Sequence, residues 1–350
     1  MKVGIIAVNN MCYSPYIFFH TRILETIGID YDIIIPDRNA GLEQSKEGIH
    51  VLPWNAKHST LLNYVGYAQQ VKKLVKRKKY DALVALTANS AAFLAPWLKK
   101  HYAGRYVVDI RDYSHENIKP FYWLEKLAIK HSFANVLSSA GFQSFLPKAE
   151  YLVCHNLTVL EELDTQFIKA KDRQINIGYV GAIGYVEQCK RLMQLVQKDE
   201  RFCFSFYGTS GNEQILRQYA EELSCDRIKF YGRYNNQEKA QIIQKVDILF
   251  NAYGNGIPLL DYALSNKLYD AMAHRKPIIT SPNTYMDEAA GILSFPIDLA
   301  KTESLDGLYS WYIDLDSEAA NTFAQQQHLR YLQENEAVIN ELTNRWKKLQ

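Results

Sequence analysis

Short, nearly all-apolar runs alternate along the chain with longer stretches whose apolar residues recur at helical spacing. That alternation predicts strands at Val3–Val8, Tyr31–Pro36, Asp81–Leu86, Tyr106–Ile110 and Asn135–Ser138 in the first half. Helices are expected between them, among them Tyr64–Lys79 and Ala91–Tyr102. A second series begins at Ile175–Val180 and continues through Phe202–Tyr207, Ile228–Tyr231, Asp247–Asn251 and Pro277–Thr280. Strands this apolar on both parities suit parallel sheets covered by helices on each face. The expected fold is therefore α/β, with two Rossmann-like doubly wound domains facing across a cleft. The tail from Asp316 to Gln350 reads as one long helix with Phe323, Leu329, Leu332, Val338, Leu342 and Trp346 as buried positions. It is expected to cross back to the N-terminal domain.

Between the two series, near Cys154–Thr158, the pattern lapses into the polar stretch EELDTQFIKAKDRQ, which reads as a linker. The predicted division is an N-terminal, acceptor-side domain at 1–157, a donor-binding domain at 158–325 and a C-terminal helix at 326–350. Charge follows the same division: residues 1–156 carry 19 Lys+Arg against 12 Asp+Glu, and residues 157–350 carry 21 against 26. A basic half joined to an acidic half suggests different tasks. The 350 residues are 47% hydrophobic and 22% charged, ordinary values for a globular chain of two domains. No apolar run is long enough for a membrane span, and MKVGIIAVNN reads as a first strand rather than a leader. Five scattered cysteines without metal-type spacing fit reduced thiols, so a cytoplasmic protein without a metal site is expected.

In doubly wound folds the ligand groups sit on loops leaving the carboxyl ends of the strands. Four such loops carry unusual chemistry here. In YVGAIGY, Gly181 and Gly184 would let the backbone approach a phosphate, though a plain tight turn needs the same residues. In FSFYGTSGN, Tyr207 and Gly208 end the next strand, and Thr209 and Ser210 suit either a nucleotide or a helix cap. In NAYGNGIPLLDYALSNKLYDAM, Ser265 is a natural N-cap that sets Asn266 and Lys267 in the first helical turn. Free N–H groups and the helix dipole there favour an anion, and Lys267 adds a full charge. Asn266, Tyr269, Asp270 and Ala273 share one helical face, which would let Asp270 accept from a ribose diol; the alternative is a capped helix with a solvated Lys and Asp. In VVDIRDYSHEN, Asp109, Arg111, Asp112, His115 and Glu116 form a dense ionisable cluster, read either as a functional edge or as a structural ion-pair set.

Together these stretches resemble the retaining GT-B glycosyltransferases of family four, found in bacterial capsule and surface polysaccharide pathways. The resemblance is carried mainly by NAYGNG…YALSNKLYDAMAHRKPIITS, by the glycine loop at Gly181–Gly184 and by D-I-R-D at Asp109–Asp112. It implies transfer of a sugar from a nucleoside-diphosphate sugar, a UDP-sugar being the expected co-substrate, with retention of configuration and without metal or other cofactor. It places the diphosphate at Asn266 and Lys267, the ribose at Asp270, and candidate catalytic residues at Arg111, Asp112 and His115. The chain departs from the family where Tyr262 replaces the first of two paired Glu residues, where Asp270 replaces the second, and where Ala182 replaces an Arg beside the first glycine. The family's His falls at Arg111, with His115 four residues later.

The run VKKLVKRKK and the stretch KPFYWLEKLAIKH mix cations with aromatic residues. Such helices suit an anionic membrane surface, although a solvated face over ordinary core aromatics gives the same pattern. A glycan or lipid-linked acceptor and peripheral attachment to the inner face of the cell membrane are the matching expectations, and no nucleic-acid motif accompanies the charge. The other readings are a nucleotide-sugar epimerase on the same fold and a non-catalytic GT-B partner subunit. An NAD-dependent enzyme is disfavoured because NNMCYSPY stands where a GxGxxG would be needed.

Overall fold

The computed structural model describes residues 1–350 apart from Asn39, Ala40, Ala56 and His58. The chain forms two compact units, one of Met1–Asn156 with Glu334–Gln350 and one of Leu157–Gln333. In the first, the elements are β1 (Lys2–Ile6), α1 (Ile17–Thr26), β2 (Asp30–Pro36), β3 (Ile49–Leu52), α2 (Thr60–Lys78), β4 (Ala82–Leu86), α3 (Ala88–Tyr102), β5 (Tyr106–Ile110), α4 (Lys119–His131), β6 (Ala134–Leu137) and β7 (Leu152–Val153). They build one seven-stranded sheet in the order β3-β2-β1-β4-β5-β6-β7, parallel throughout. Residues of one parity, such as Val3, Ile5, Ile33, Ile35, Val84 and Val136, meet Ile17, Ile23 and Leu24 of α1. The other parity, including Ile6, Ile34, Leu83, Ala85 and Val108, is equally buried. Two buried faces explain why these strands lack polar alternation.

The second unit runs through β8 (Ile175–Val180), α5 (Val186–Lys198), β9 (Phe202–Tyr207), α6 (Glu213–Leu223), β10 (Ile228–Phe230), α7 (Lys239–Gln244), β11 (Ile248–Asn251), α8 (Pro258–Tyr262), α9 (Asn266–Ala273), β12 (Ile278–Thr280), α10 (Tyr285–Ala290), β13 (Ser294–Pro296), α11 (Asp306–Asp314) and the start of α12 (Ser317–Lys347). Its six parallel strands are ordered β10-β9-β8-β11-β12-β13. Strand order reverses between β8 and β11, so the loops leaving these two strands diverge and open a ligand position at the sheet's carboxyl edge.

Predicted and observed strands agree residue for residue at β5, β8 and β9, whereas β3, β7 and β13 were not expected. The long helix runs Ser317–Lys347, and its last turns bury Val338, Leu342 and Trp346 in the core of the first unit. Further up the helix the expected positions are displaced. Phe323, Leu329 and Leu332 are half-buried, and the buried stripe is Ala320, Ala324, His328 and Tyr331. Small residues let the helix lie close to its unit, which the search for large apolar residues overlooked. Nor is the polar stretch after Leu160 a loose linker. Phe167 is buried, its N–H bonds Asn321 Oδ1 at 2.7 Å, and the N–H of Ala170 bonds the Tyr312 hydroxyl at 2.9 Å. No helix among the described residues is long and apolar enough to cross a membrane. All five cysteines are free thiols.

Candidate functional site

The site in the second unit begins where β8 and β9 end. Gly181 has φ +123° and donates its N–H to the Tyr207 carbonyl at 2.8 Å. Gly208 has φ +132°, and a Cβ there would lie 1.9 Å from the Gly181 carbonyl oxygen. Only glycine allows that backbone approach. The two strand ends are thus locked by main-chain atoms. Gly184 is under no such constraint: its N–H bonds the Tyr179 hydroxyl at 3.0 Å, and a Cβ would meet only that hydroxyl, at 3.7 Å. Tyr207 is buried and stacks on the exposed Tyr231, with centroids 4.6 Å apart and planes 4° apart. Ser210 donates to the Ile183 carbonyl and accepts the Asn212 N–H, so its hydroxyl serves the loop.

On the far side of Gly181 lies Lys267. The Ser265 side chain caps α9 by accepting the Lys267 N–H at 3.2 Å, as the sequence predicted. From this fixed first turn the Lys267 side chain runs inward, 9% exposed, and places Nζ 3.7 Å from where a Gly181 Cβ would stand. Nζ lies over the rings of Tyr179 and Tyr253, 4.6 and 5.3 Å from their centroids, a contact that favours the cation. Tyr253 in turn stacks on Tyr185 at 3.9 Å. Among the described residues Nζ makes no hydrogen bond or ion pair. Desolvation lowers its pKa to about 8, opposed by Asp270 and reinforced by Lys239. The result is a buried cation, still protonated at neutral pH, facing a glycine turn.

Asp270, one turn later, is 2% exposed, so the solvated Lys and Asp of the alternative reading are not what the structure contains. Its Oδ1 accepts from Thr158 Oγ1 at 3.0 Å, and its two oxygens take Lys239 Nζ at 2.8 and 2.7 Å. The carboxylate expected at a ribose is therefore already engaged, with about one of its four lone-pair positions left. Asn266 is exposed at the helix start and lies outside this buried group. Lys239, Thr158, Tyr179 and Tyr253 escaped the sequence reading. Lys239 opens α7 behind a capping box, Asn235 with Glu238, and that box was the available signal.

At the edge of the first sheet, Asp109 is fully buried and bonded to His20 Nε2 at 2.7 Å and to Arg111 Nε and Nη2 at 2.5 and 2.7 Å. Burial raises its pKa, but Arg111 and His20 outweigh that and hold it low. Arg111 also donates to the Cys154 carbonyl at 3.2 Å, so its guanidinium is committed to structure. Asp112 is exposed on the loop after β5. His115 is exposed and packs edge-on against Phe121 at 5.4 Å. The three candidate catalytic residues share a loop without forming one hydrogen-bonded group. The basic end of α2 is exposed along with Leu61, Leu62 and Val65, and on α4 Trp123 is 64% exposed with Lys126 Nζ 5.3 Å from its ring. No cluster suited to a metal ion occurs among the described residues.

Two parallel Rossmann-like sheets in one chain, the second with a locked glycine turn beside a capped helix start, define the GT-B class. Residues 8–137 match the glycosyl transferase 4-like family and residues 174–301 match glycosyl transferases group 1, so the chain is a glycosyltransferase of GT-B fold. The probable glycosyltransferase WbjE of Pseudomonas aeruginosa is 29% identical over 107 residues, which is 29% of this chain and 25% of that protein; the match thus spans about a quarter of the relative. Among solved structures, sucrose-phosphate synthase from Thermosynechococcus elongatus aligns over 100% of this chain and 99% of its own, with a TM-score of 0.70 at 12% identity. Anabaena HepE in complex with UDP aligns over 98% and 100%, with a TM-score of 0.69 at 13% identity. At such identities these structures speak for the fold alone.

Proposed function

We propose that the protein transfers a sugar from a nucleoside-diphosphate sugar, with retention, to a glycan or lipid-linked acceptor in surface-polysaccharide assembly. The observation that carries this reading is the Lys267 ammonium buried over the Gly181 turn at the capped start of α9. As the sugar–phosphate bond breaks, negative charge grows on the departing diphosphate. A preorganised cation at the positive end of the α9 dipole in a water-poor site stabilises that charge more than it stabilises the bound donor. In this reading the Lys267 ammonium and the α9 dipole do the work a divalent cation does elsewhere, and no cofactor is used. The exposed Tyr231, stacked on Tyr207, offers a flat surface beside the site for a nucleobase. A uridine donor is the first candidate, since HepE, a protein of the same fold, is seen with UDP. The exposed Trp123 and the cationic end of α2 support an acceptor presented at an anionic membrane surface.

The test is a thermal-shift panel of UDP-, GDP-, dTDP- and CMP-sugars on the wild type and Lys267→Ala. A ligand at 100 times its dissociation constant stabilises the fold by about 2.7 kcal/mol. One base should stand out for the wild type and lose its shift in the variant. If none of the four moves the transition, and none is slowly hydrolysed, the proposal fails.

A further inference from the structure

Two lysines and one carboxylate share the interior of the second unit's site, and their pairing is not the one sequence distance favours. Asp270 stands three residues from Lys267 on the same helix, within ordinary reach of an ion pair. It pairs with Lys239 instead, 31 residues away, through both carboxylate oxygens. We infer that Lys239 is a positioning residue that holds Asp270 away from Lys267, leaving the Lys267 ammonium uncompensated for the diphosphate of the donor. The inference rests on the function proposed above and assigns a role within the same site.

Local structure fixes the arrangement. The Glu238 side chain bonds the Asn235 N–H at 2.7 Å in the capping box, which sets the register in which Lys239 begins α7. Thr158 adds its bond to Asp270 Oδ1, so the carboxylate is held from two sides away from α9's own lysine. Each ion is nearly dry: Asp270 is 2% exposed and the Lys239 side chain 18%. Lys239 and Asp270 cancel, and the cluster retains one net positive charge, on Lys267. The ionisable groups acting on Lys267 are Asp270, Lys239 and Cys189; those near Asp270 also include His274, a buried imidazole with its pKa lowered to about 4, and Tyr234.

Removing Lys239 does two things of the same sign to Lys267. It deletes a like charge and it releases Asp270 toward the Lys267 ammonium, so the lysine holds its proton more tightly while its charge is spent on the carboxylate. In Lys239→Met the cluster's net charge falls to zero. In Lys239→Met/Asp270→Asn it returns to one, again on Lys267. If Lys239 bound phosphate directly, that double variant would stay weak.

Two measurements follow. Lysine ε-carbon NMR, with Lys267→Arg to assign the resonance, should show a titration midpoint near 8 in the wild type, at least one pH unit higher in Lys239→Met, and back near the wild-type value in the double variant. Calorimetric titration with UDP, and with GDP if the wild type ignores UDP, should show affinity at pH 7.5 falling about tenfold or more in Lys239→Met and recovering most of the loss in the double variant. Comparing variants at one pH cancels the ligand's own titration. An unmoved midpoint or an undiminished affinity in Lys239→Met overturns the inference, and so does failure of the double variant to recover. If the wild type binds neither nucleotide while the midpoints move as stated, the electrostatic arrangement stands and the proposed donor role falls.

Discussion

Glutamate 125 offers a quantitative test of the first unit's interior. It lies on α4, is fully buried, and neither carboxyl oxygen has a hydrogen-bond partner among the described residues. Glu116 Oε1, on the loop before α4, is likewise buried without a partner. Desolvation, reinforced by the Glu116 charge, raises the Glu125 pKa to about 9 from an ordinary 4.5. At pH 7 the folded chain therefore carries Glu125 protonated and the unfolded chain carries it ionised. Holding the proton across 2.5 pH units costs about 3 kcal/mol, and this figure does not depend on the upper pKa so long as it lies well above 7. The sign follows: the folded state binds the extra proton, so stability is greatest below about pH 4.5 and falls as pH rises toward 9. Glu125→Gln is neutral in both states at every pH. It should be about 3 kcal/mol more stable than the wild type at pH 7 and indistinguishable from it at pH 4. Four of the five tryptophans (Trp54, Trp97, Trp123 and Trp346) belong to this unit, so urea unfolding followed by tryptophan fluorescence reports it. The midpoint should move upward by on the order of 1 M urea at pH 7. A difference between the two proteins that stays constant from pH 4 to pH 8 would refute the reasoning.

Three further outcomes are expected. Gly208→Ala should cost ~3 kcal/mol or more and abolish nucleotide binding, because its Cβ would fall 1.9 Å from the Gly181 oxygen at a φ of +132°; calorimetry and ligand titration check both. Trp346→Ala should cost about 3–5 kcal/mol by emptying a fully buried site against Phe133, whose ring centroid is 4.8 Å away, and should lower the denaturation midpoint without altering UDP affinity in the protein that remains folded. Affinity for a nucleoside diphosphate should fall as pH rises above about 8, where Lys267 loses its proton, and Lys267→Arg should move that loss beyond pH 10 in a binding titration.

Much of the fold was readable because parallel strands buried on both faces announce themselves as apolar runs. The strands that escaped are the edge strands β3, β7 and β13. They pair on one side only and are short and partly exposed, so Ile49–Leu52 and Ser294–Pro296 show neither a run nor a clean alternation. The start of α9 was legible for a local reason: Ser265, Asn266 and Lys267 are consecutive, and capping is a short-range rule. What Asp270 does was not. Its partners Lys239 and Thr158 lie 31 and 112 residues away, and nothing local to SNKLYDAM distinguishes a carboxylate waiting for a ribose from one already held by a lysine. Arg111 misled for a related reason. The charge density at the end of β5 was plain, but His20, 89 residues earlier, completes a buried ion-pair group around Asp109, and a cluster that satisfies itself looks the same in sequence as one that awaits a substrate.

The main-chain lock between Gly181 and Gly208 has a bearing on how this loop can change its surface. The turn is shaped by atoms that every residue possesses, and the two glycines are the positions where a side chain is forbidden. The Ala182 side chain beside them is exposed; that residue holds the loop through its main chain, its carbonyl accepting the Tyr179 hydroxyl at 3.1 Å. A substitution at Ala182 would alter the side chain the loop presents at the sheet's carboxyl edge while leaving its main-chain path intact. Surface chemistry and architecture are thereby written in different atoms of one loop, and the first can drift while the second stays still.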